Sequence, residues 1–140
     1  MKKTARTILA FDERQLEFVN KLKDTFAAGT GEPISNKEMF LIAMGVGFHS
    51  KNKLSDFKRS GNGVRIEYFQ PEDNVLFAAL QVAETGKSES LLATEELYNL
   101  AELYAGGGIS ILWSHFLQEN DFAVWFASFV TGSLSAGKSE

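Results

Sequence analysis

The chain has 140 residues, of which 44% are hydrophobic and 23% charged, a composition typical of one globular domain. It contains no cysteine, which excludes disulfides, thiolate catalysis and cysteine-ligated metal centres. No apolar run approaches the roughly 20 residues of a membrane span, and the N-terminus lacks the apolar core of a secretory signal. We therefore expect a cytoplasmic protein with no membrane partner, one helical domain over residues 1–131 and a flexible tail over residues 132–140.

Charge is distributed unevenly along the chain, whose net charge is −4. Residues 1–65 carry 12 Lys and Arg against 7 Asp and Glu, a balance of +5, whereas residues 66–140 carry 2 against 11, a balance of −9. Such a separation favours an anionic partner for the basic half. Attraction between the two halves of the folded chain, or between subunits, explains it equally well.

The N-terminal half is predicted to contain two helices. Apolar residues at helical spacing predict a first helix from a cap at Asp12 to about Ala28, with Gly29 as its stop. Ser35 and Glu38 have the spacing of a capping box, which predicts the start of a second helix. That helix is apolar on all sides, so we expect it at the centre of the core.

A strand is predicted after these helices. Val64–Phe69 alternates β-branched and aromatic residues with polar ones, and the turn dipeptide at residues 62–63 precedes it. Lys53–Lys58 is the candidate second arm of a hairpin. The β structure is therefore expected to be at most one small hairpin or strand within residues 53–69.

Four more helices are predicted in the C-terminal half. Pro71 suits the first position of a third helix, and Gly86 ends it. A fourth runs from about Ser88 to Ala105, with Glu102 outside its apolar face. The glycines at 106–108 are expected to break the chain before a fifth helix, about 109–119, and Asp121 caps a sixth. The predicted fold is mainly α, a compact bundle of about six helices. Because the last two helices are very apolar, a homodimer is also compatible with the sequence.

Residues 49–65 form the basic segment, which carries five cations against one acidic residue and has a charge of +4. The other residues sum to −8. Serine, asparagine and glycine residues between the cations add hydrogen-bond donors of the kind that contact phosphate oxygens. Phe57 and Tyr68 are candidates for base stacking if the target is single-stranded. The cations predicted to bind nucleic acid are Lys51, Lys53, Lys58, Arg59 and Arg65.

Two other interpretations of the basic segment stay open: a solvated, flexible loop, or a contact surface for an acidic protein. The start of the chain, Met1–Arg6, adds three positive charges and is a candidate flexible arm onto the same anion.

Catalytic residues are not evident. Glu67, Glu72 and Asp73 follow the basic segment, and clustered carboxylates of this kind hold Mg²⁺ or Mn²⁺ in nucleases. First-turn helix positions fully explain Glu72 and Asp73, and the solvent face of a strand explains Glu67, so a metal-dependent DNA nickase is left open with no assigned site. The two histidines, His49 and His115, lie far apart in sequence without ligand-spaced neighbours.

The run Lys37–Phe48, with a Lys-Glu-x-Phe start and an Ala-x-x-x-Gly-Phe end before a basic loop, resembles a known family. These are small proteins encoded beside bacterial DNA phosphorothioation genes, which replace a backbone phosphate oxygen with sulfur and support phage defence. Ala93–Ile109, with Tyr98, Leu100, Ala101 and the glycine triad, is compatible with the same family. The resemblance implies a DNA-binding accessory protein whose partners are DNA and other proteins of the system, with DNA nicking in some members. No catalytic residue of the family maps onto this sequence.

Overall fold

The computed structural model describes residues 6–86, 94–118, 125–129 and 131. Two strands form one antiparallel sheet, and the remaining regular structure is helical, so the predicted mainly α class is confirmed. Short 3-10 turns occupy residues 13–15, 66–68 and 71–73, and residues 125–129 are helical. The longer elements are β1 (Ile8–Asp12), α1 (Leu16–Thr30), α2 (Asn36–His49), β2 (Arg59–Arg65), α3 (Asn74–Thr85) and α4 (Thr94–Gln118).

The core is built around α2, which packs most extensively against α4. Met39, Phe40, Ala43 and Met44 of α2 are almost completely buried, as expected for a helix that is apolar on all sides. The capping box that starts α2 is confirmed, since Ser35 Oγ accepts from the Glu38 N–H and Glu38 accepts from the Ser35 N–H. The central position predicted for this helix is also confirmed.

The glycine triad does not break the chain as predicted, because α4 runs through it without interruption. A Cβ on Gly108 would lie 1.7 Å from the carbonyl oxygen of Ala43 on α2. The backbones of α2 and α4 therefore approach each other closely at this glycine, where α4 carries no side chain. Close packing against α2 outweighs the roughly 1 kcal/mol that each glycine costs a helix, and local propensity alone misses this.

The sheet also differs from the prediction. Strand β2 ends at Arg65 instead of extending to Phe69, and its partner is β1, not Lys53–Lys58. Ile66 N donates to Thr7 O at 2.9 Å, and beyond that bond the chain turns into a 3-10 turn. The strand at Ile8–Asp12 was not predicted, because its pairing joins residues 47 to 57 positions apart in sequence.

Helix ends agree with the predictions in part. Asp12 caps the 3-10 turn that precedes α1. The helix itself continues past Gly29, ends at Thr30 and is capped by Gly31, whose φ is +83°. Pro71 opens the 3-10 turn before α3, and Gly86, with φ +74°, ends that helix. The end of α1 was predicted too early because both Gly29 and Gly31 suit a helix C-terminus, and only Gly31 adopts the left-handed conformation.

Several predictions fall outside the described residues: the helix start at Ser88, the cap at Asp121, the tail at residues 132–140 and most of the N-terminal arm. Among the helices that the structure describes, none is long and apolar enough to cross a membrane.

Candidate nucleic-acid interface

The loop 50–58 connects α2 to β2 and is fixed to the helical core by backbone hydrogen bonds. Asn52 N donates to Gly47 O of α2, and Leu54 N donates to Leu103 O of α4, both at 2.9 Å. Lys51 and Asp56 have φ values of +55° and +54°, so the loop makes two sharp left-handed turns at non-glycine residues. These hydrogen bonds hold the loop against both α2 and α4.

Gly107 lets this loop lie directly against α4. A Cβ at this position would be 1.9 Å from the carbonyl oxygen of Asn52. The Asn52 side chain completes the contact, because its Nδ2 donates to Gly107 O at 3.0 Å. The glycine triad thus accommodates both a helix and the loop of the candidate interface.

Asp12 fastens the other end of the loop. Its fully buried carboxylate accepts from Lys58 N at 2.8 Å and from Arg14 N at 2.7 Å. The Arg14 guanidinium binds the same carboxylate at 2.9 Å and also donates to Asp56 O at 2.6 Å. Burial raises the pKa of Asp12, but the hydrogen bonds from Arg14 and Lys58 outweigh it and hold the pKa below its ordinary value.

The five predicted contact cations separate into two groups. Three form ion pairs: Lys53 with Glu84 at 3.1 Å, Arg59 with Glu102 at 3.1 Å and Arg65 with Glu67 at 3.3 Å. Lys51 and Lys58 are exposed, and neither pairs with an acidic residue in the part of the chain that the structure describes. The structure therefore leaves Lys51 and Lys58 as the cations of the basic segment that are available to an external anion.

Arg59 has an interior partner that the sequence did not reveal. Glu102 was predicted outside the apolar face of its helix, yet it is only 2% exposed. Its carboxylate accepts from Ala10 N at 2.7 Å and from Arg59 Nε, while Arg6 approaches its other oxygen at 3.3 Å. The Arg6 side chain is 7% exposed and also pairs with Glu95, so Arg6 does not belong to a free N-terminal arm.

The two halves of the chain neutralise each other in part. Lys37 pairs with Asp73 at 2.9 Å, Lys53 pairs with Glu84, and Glu102 receives two arginines. Each of these ion pairs joins the basic residues 1–65 to the acidic residues 66–140. Intramolecular attraction therefore accounts for part of the charge asymmetry.

Neither the carboxylates nor the histidines converge on a metal site. Asp73 caps its own turn by accepting from Gln70 N at 2.7 Å and binds Lys37, while Glu67 pairs with Arg65. Among the residues with assigned positions, no group of three His, Asp or Glu side chains is arranged to hold a cation. His49 packs against Phe129, and His115 stacks on Trp125 with ring centroids 3.9 Å apart.

The two aromatic residues suggested for base stacking differ in position. Phe57 is partly buried and lies beside Gly106, where a Cβ would come within 3.2 Å of its ring. Tyr68 is 53% exposed. Of the two, Tyr68 is the better placed to receive a base.

The sequence did not reveal three features around this candidate surface: the buried carboxylate of Glu102, the loop contacts of Asp12, and the cavity that Lys23 and Lys37 line together with Tyr68. Asp12 was recognised only as a local cap, and no pattern marked Glu102 as buried. All three depend on contacts between residues distant in sequence, so no local motif indicates them.

Comparison of the chain with protein-family models, curated proteins and solved structures found no match.

Proposed function

We propose that this chain binds DNA through the phosphate backbone, using the loop 50–58 and the exposed part of β2, as an accessory protein of a bacterial phosphorothioation-type modification or defence system. The observation that carries the binding proposal is the pair Lys51 and Lys58, which are exposed on a loop held by hydrogen bonds and form no ion pair with any acidic residue that the structure describes. The assignment to a defence system rests on the sequence resemblance.

A fixed loop favours binding because its ordering cost is met during folding rather than at the moment of association. Lys53 and Arg65 can add to the contact, since their ion pairs are exposed and such pairs contribute about 1 kcal/mol or less. A phosphate can therefore replace Glu84 or Glu67 at low cost. Arg59 is less available, because leaving Glu102 would abandon a buried carboxylate.

Fluorescence anisotropy with a labelled DNA duplex at low salt tests the proposal. Reversal of two charges in Lys51→Glu plus Lys58→Glu should weaken binding about 10- to 100-fold, because phosphate contacts dominate nonspecific affinity. Lys21→Glu is the matched control, an exposed lysine on α1 that is also without an ion pair in the described structure. No binding by the unaltered protein, or equal loss in the control and the double variant, would overturn the proposal.

Recruitment of an acidic protein is the second candidate, because the cations of the basic segment already take carboxylate partners within the chain at Glu84 and Glu102. This function predicts an acidic protein that co-purifies after nuclease treatment. It also predicts that the Lys51→Glu plus Lys58→Glu variant loses that protein, while the unaltered chain ignores DNA at low salt.

Nicking is a separate question, answered with supercoiled plasmid and Mg²⁺ or Mn²⁺. The binding proposal expects plasmid that shifts in a gel and stays supercoiled. Conversion of the plasmid to the open circle, by an activity that co-purifies with the protein, would add an enzymatic function.

A further inference from the structure

A second basic surface lies at the other end of β2 from Lys58. A cavity of about 470 Å³ opens there between α1, the start of α2 and the end of β2. Among the residues that the structure describes, its lining contains two lysines, Lys23 and Lys37, together with Asn36, Gly63 and Tyr68, and no acidic residue. The composition of this wall suits an anionic ligand.

The charge of Lys23 is not balanced within the cavity. Its Nζ donates to the neutral Oδ1 of Asn36 at 2.7 Å, and Asn36 in turn donates to Gly63 O at 3.3 Å. Lys37 pairs with Asp73, which stands outside the lining. At the start of α2 the capping box takes the N–H groups of Ser35 and Glu38, and the lysine side chains supply the positive charge of the cavity wall.

Tyr68 adds an aromatic surface to this cationic cavity. Its side chain is 53% exposed, and Arg65 Cζ lies 6.0 Å from the ring centroid. An exposed ring in the wall of a lysine-lined cavity suits single-stranded nucleic acid, because a base can stack on the ring while a phosphate meets a cation. Bases in a duplex are stacked on each other and do not reach such a ring.

We infer that the cavity holds a nucleotide of single-stranded DNA, with the base stacked on Tyr68 and a phosphate near Lys23 and Lys37. The inference rests on the proposed function, because the same DNA runs along β2 from the phosphate contact at Lys58, which precedes this β-strand, to Tyr68, which follows it. The seven residues of β2 span roughly 20 Å, the length of a few nucleotides. Along this path Gly61 is exposed, and a Cβ there would meet no atom within 4 Å. Because the bases of a duplex do not reach the Tyr68 ring, the protein prefers single-stranded DNA to a duplex of equal charge.

Anisotropy with labelled oligothymidylate, and with a duplex of the same phosphate count, tests the inference. Tyr68→Ala should weaken single-strand binding about 5- to 100-fold and leave duplex binding unchanged, while Tyr68→Phe retains the affinity. Lys23→Gln should weaken single-strand binding, whereas Lys21→Gln, two residues away on the same helix, should not. Photocrosslinking of bromodeoxyuridine-substituted DNA should map to Tyr68.

The outcomes separate this inference from the proposed function. If the duplex binds through Lys51 and Lys58 while Tyr68→Ala has no effect on the single strand, the cavity inference fails alone. If Lys51→Glu plus Lys58→Glu changes nothing while Tyr68→Ala weakens the single strand, the proposed function fails and the cavity stands. Equal competition by polyglutamate and oligothymidylate would also overturn the inference, because the surface would then respond to charge alone.

Discussion

The basic segment has an inner side and an outer side, and its cations behave differently on each. On the inner side, Arg59 holds the buried carboxylate of Glu102, which also accepts from the backbone of β1. On the outer side, Lys51 and Lys58 are exposed and form no ion pair within residues 6–86 and 94–118, and Arg65 has an exposed pair with Glu67. The basic segment thus contains two kinds of cation: Arg59 stabilises the fold, whereas Lys51, Lys58 and Arg65 face solvent. The two kinds differ in whether an acidic partner is buried, and spacing along the sequence does not reveal that difference.

The largest expected effect comes from breaking the inner side at Glu102. Glu102→Ala leaves Arg6 and Arg59 without their shared buried carboxylate, which should lower the free energy of unfolding by about 3–5 kcal/mol. Urea denaturation measures the loss. The matched control is Glu67→Ala, which removes the exposed partner of Arg65 and should cost about 1 kcal/mol or less. Equal losses in the two variants would erase the distinction between the two sides.

Gly107→Ala should have the next largest effect, because the new Cβ would lie 1.9 Å from Asn52 O and force the loop off α4. We expect a loss of about 3 kcal/mol, as for other overpacked sites. Gly45→Ala is the control: this helical glycine has open space around its Cβ position, so alanine should stabilise by about 0.5–1 kcal/mol. Thermal unfolding of both variants measures the contrast, and similar melting temperatures would contradict the close contact.

Acid should weaken the anchoring of the loop by a smaller amount. The pKa of Asp12 in the folded chain is lowered, so its contribution is complete above the unfolded value of about 4 and is lost as the pH falls through the folded value. The pKa of Asp73 is also lowered, by the Gln70 N–H and by Lys37, and has the same sign. Asp12→Asn should remove about 2 kcal/mol at neutral pH and flatten part of the acid dependence. An unchanged profile in urea titrations below pH 5 would contradict this.

The features that the sequence predicted well are those decided by neighbours in the chain. The capping box of Ser35 and Glu38 needs four consecutive residues, and the stop at Gly86 needs one left-handed position. The apolar run of α2 similarly indicates burial on all sides without knowledge of its partner. These local patterns were sufficient for the mainly helical class.

The features that the sequence did not reveal depend on contacts across the chain. The strand Ile8–Asp12 exists because β2 pairs with it, and α4 passes through three glycines because α2 and the loop occupy the space. Glu102 looks like a surface residue until Arg6 and Arg59 reach it from distant positions. For the candidate interface, the sequence predicted a basic segment, and only the structure distinguished Lys51 and Lys58 from Arg59 within it.

The salt dependence of DNA binding tests the outer side most directly. Each phosphate contact contributes about 0.9 to the slope of log affinity against log salt on a duplex. Lys51→Gln plus Lys58→Gln should reduce the magnitude of that slope by about 2 and leave the unfolding free energy within about 0.5 kcal/mol. Lys21→Gln should alter neither quantity. A slope that stays the same in the double variant would contradict the claim that Lys51 and Lys58 face the DNA backbone.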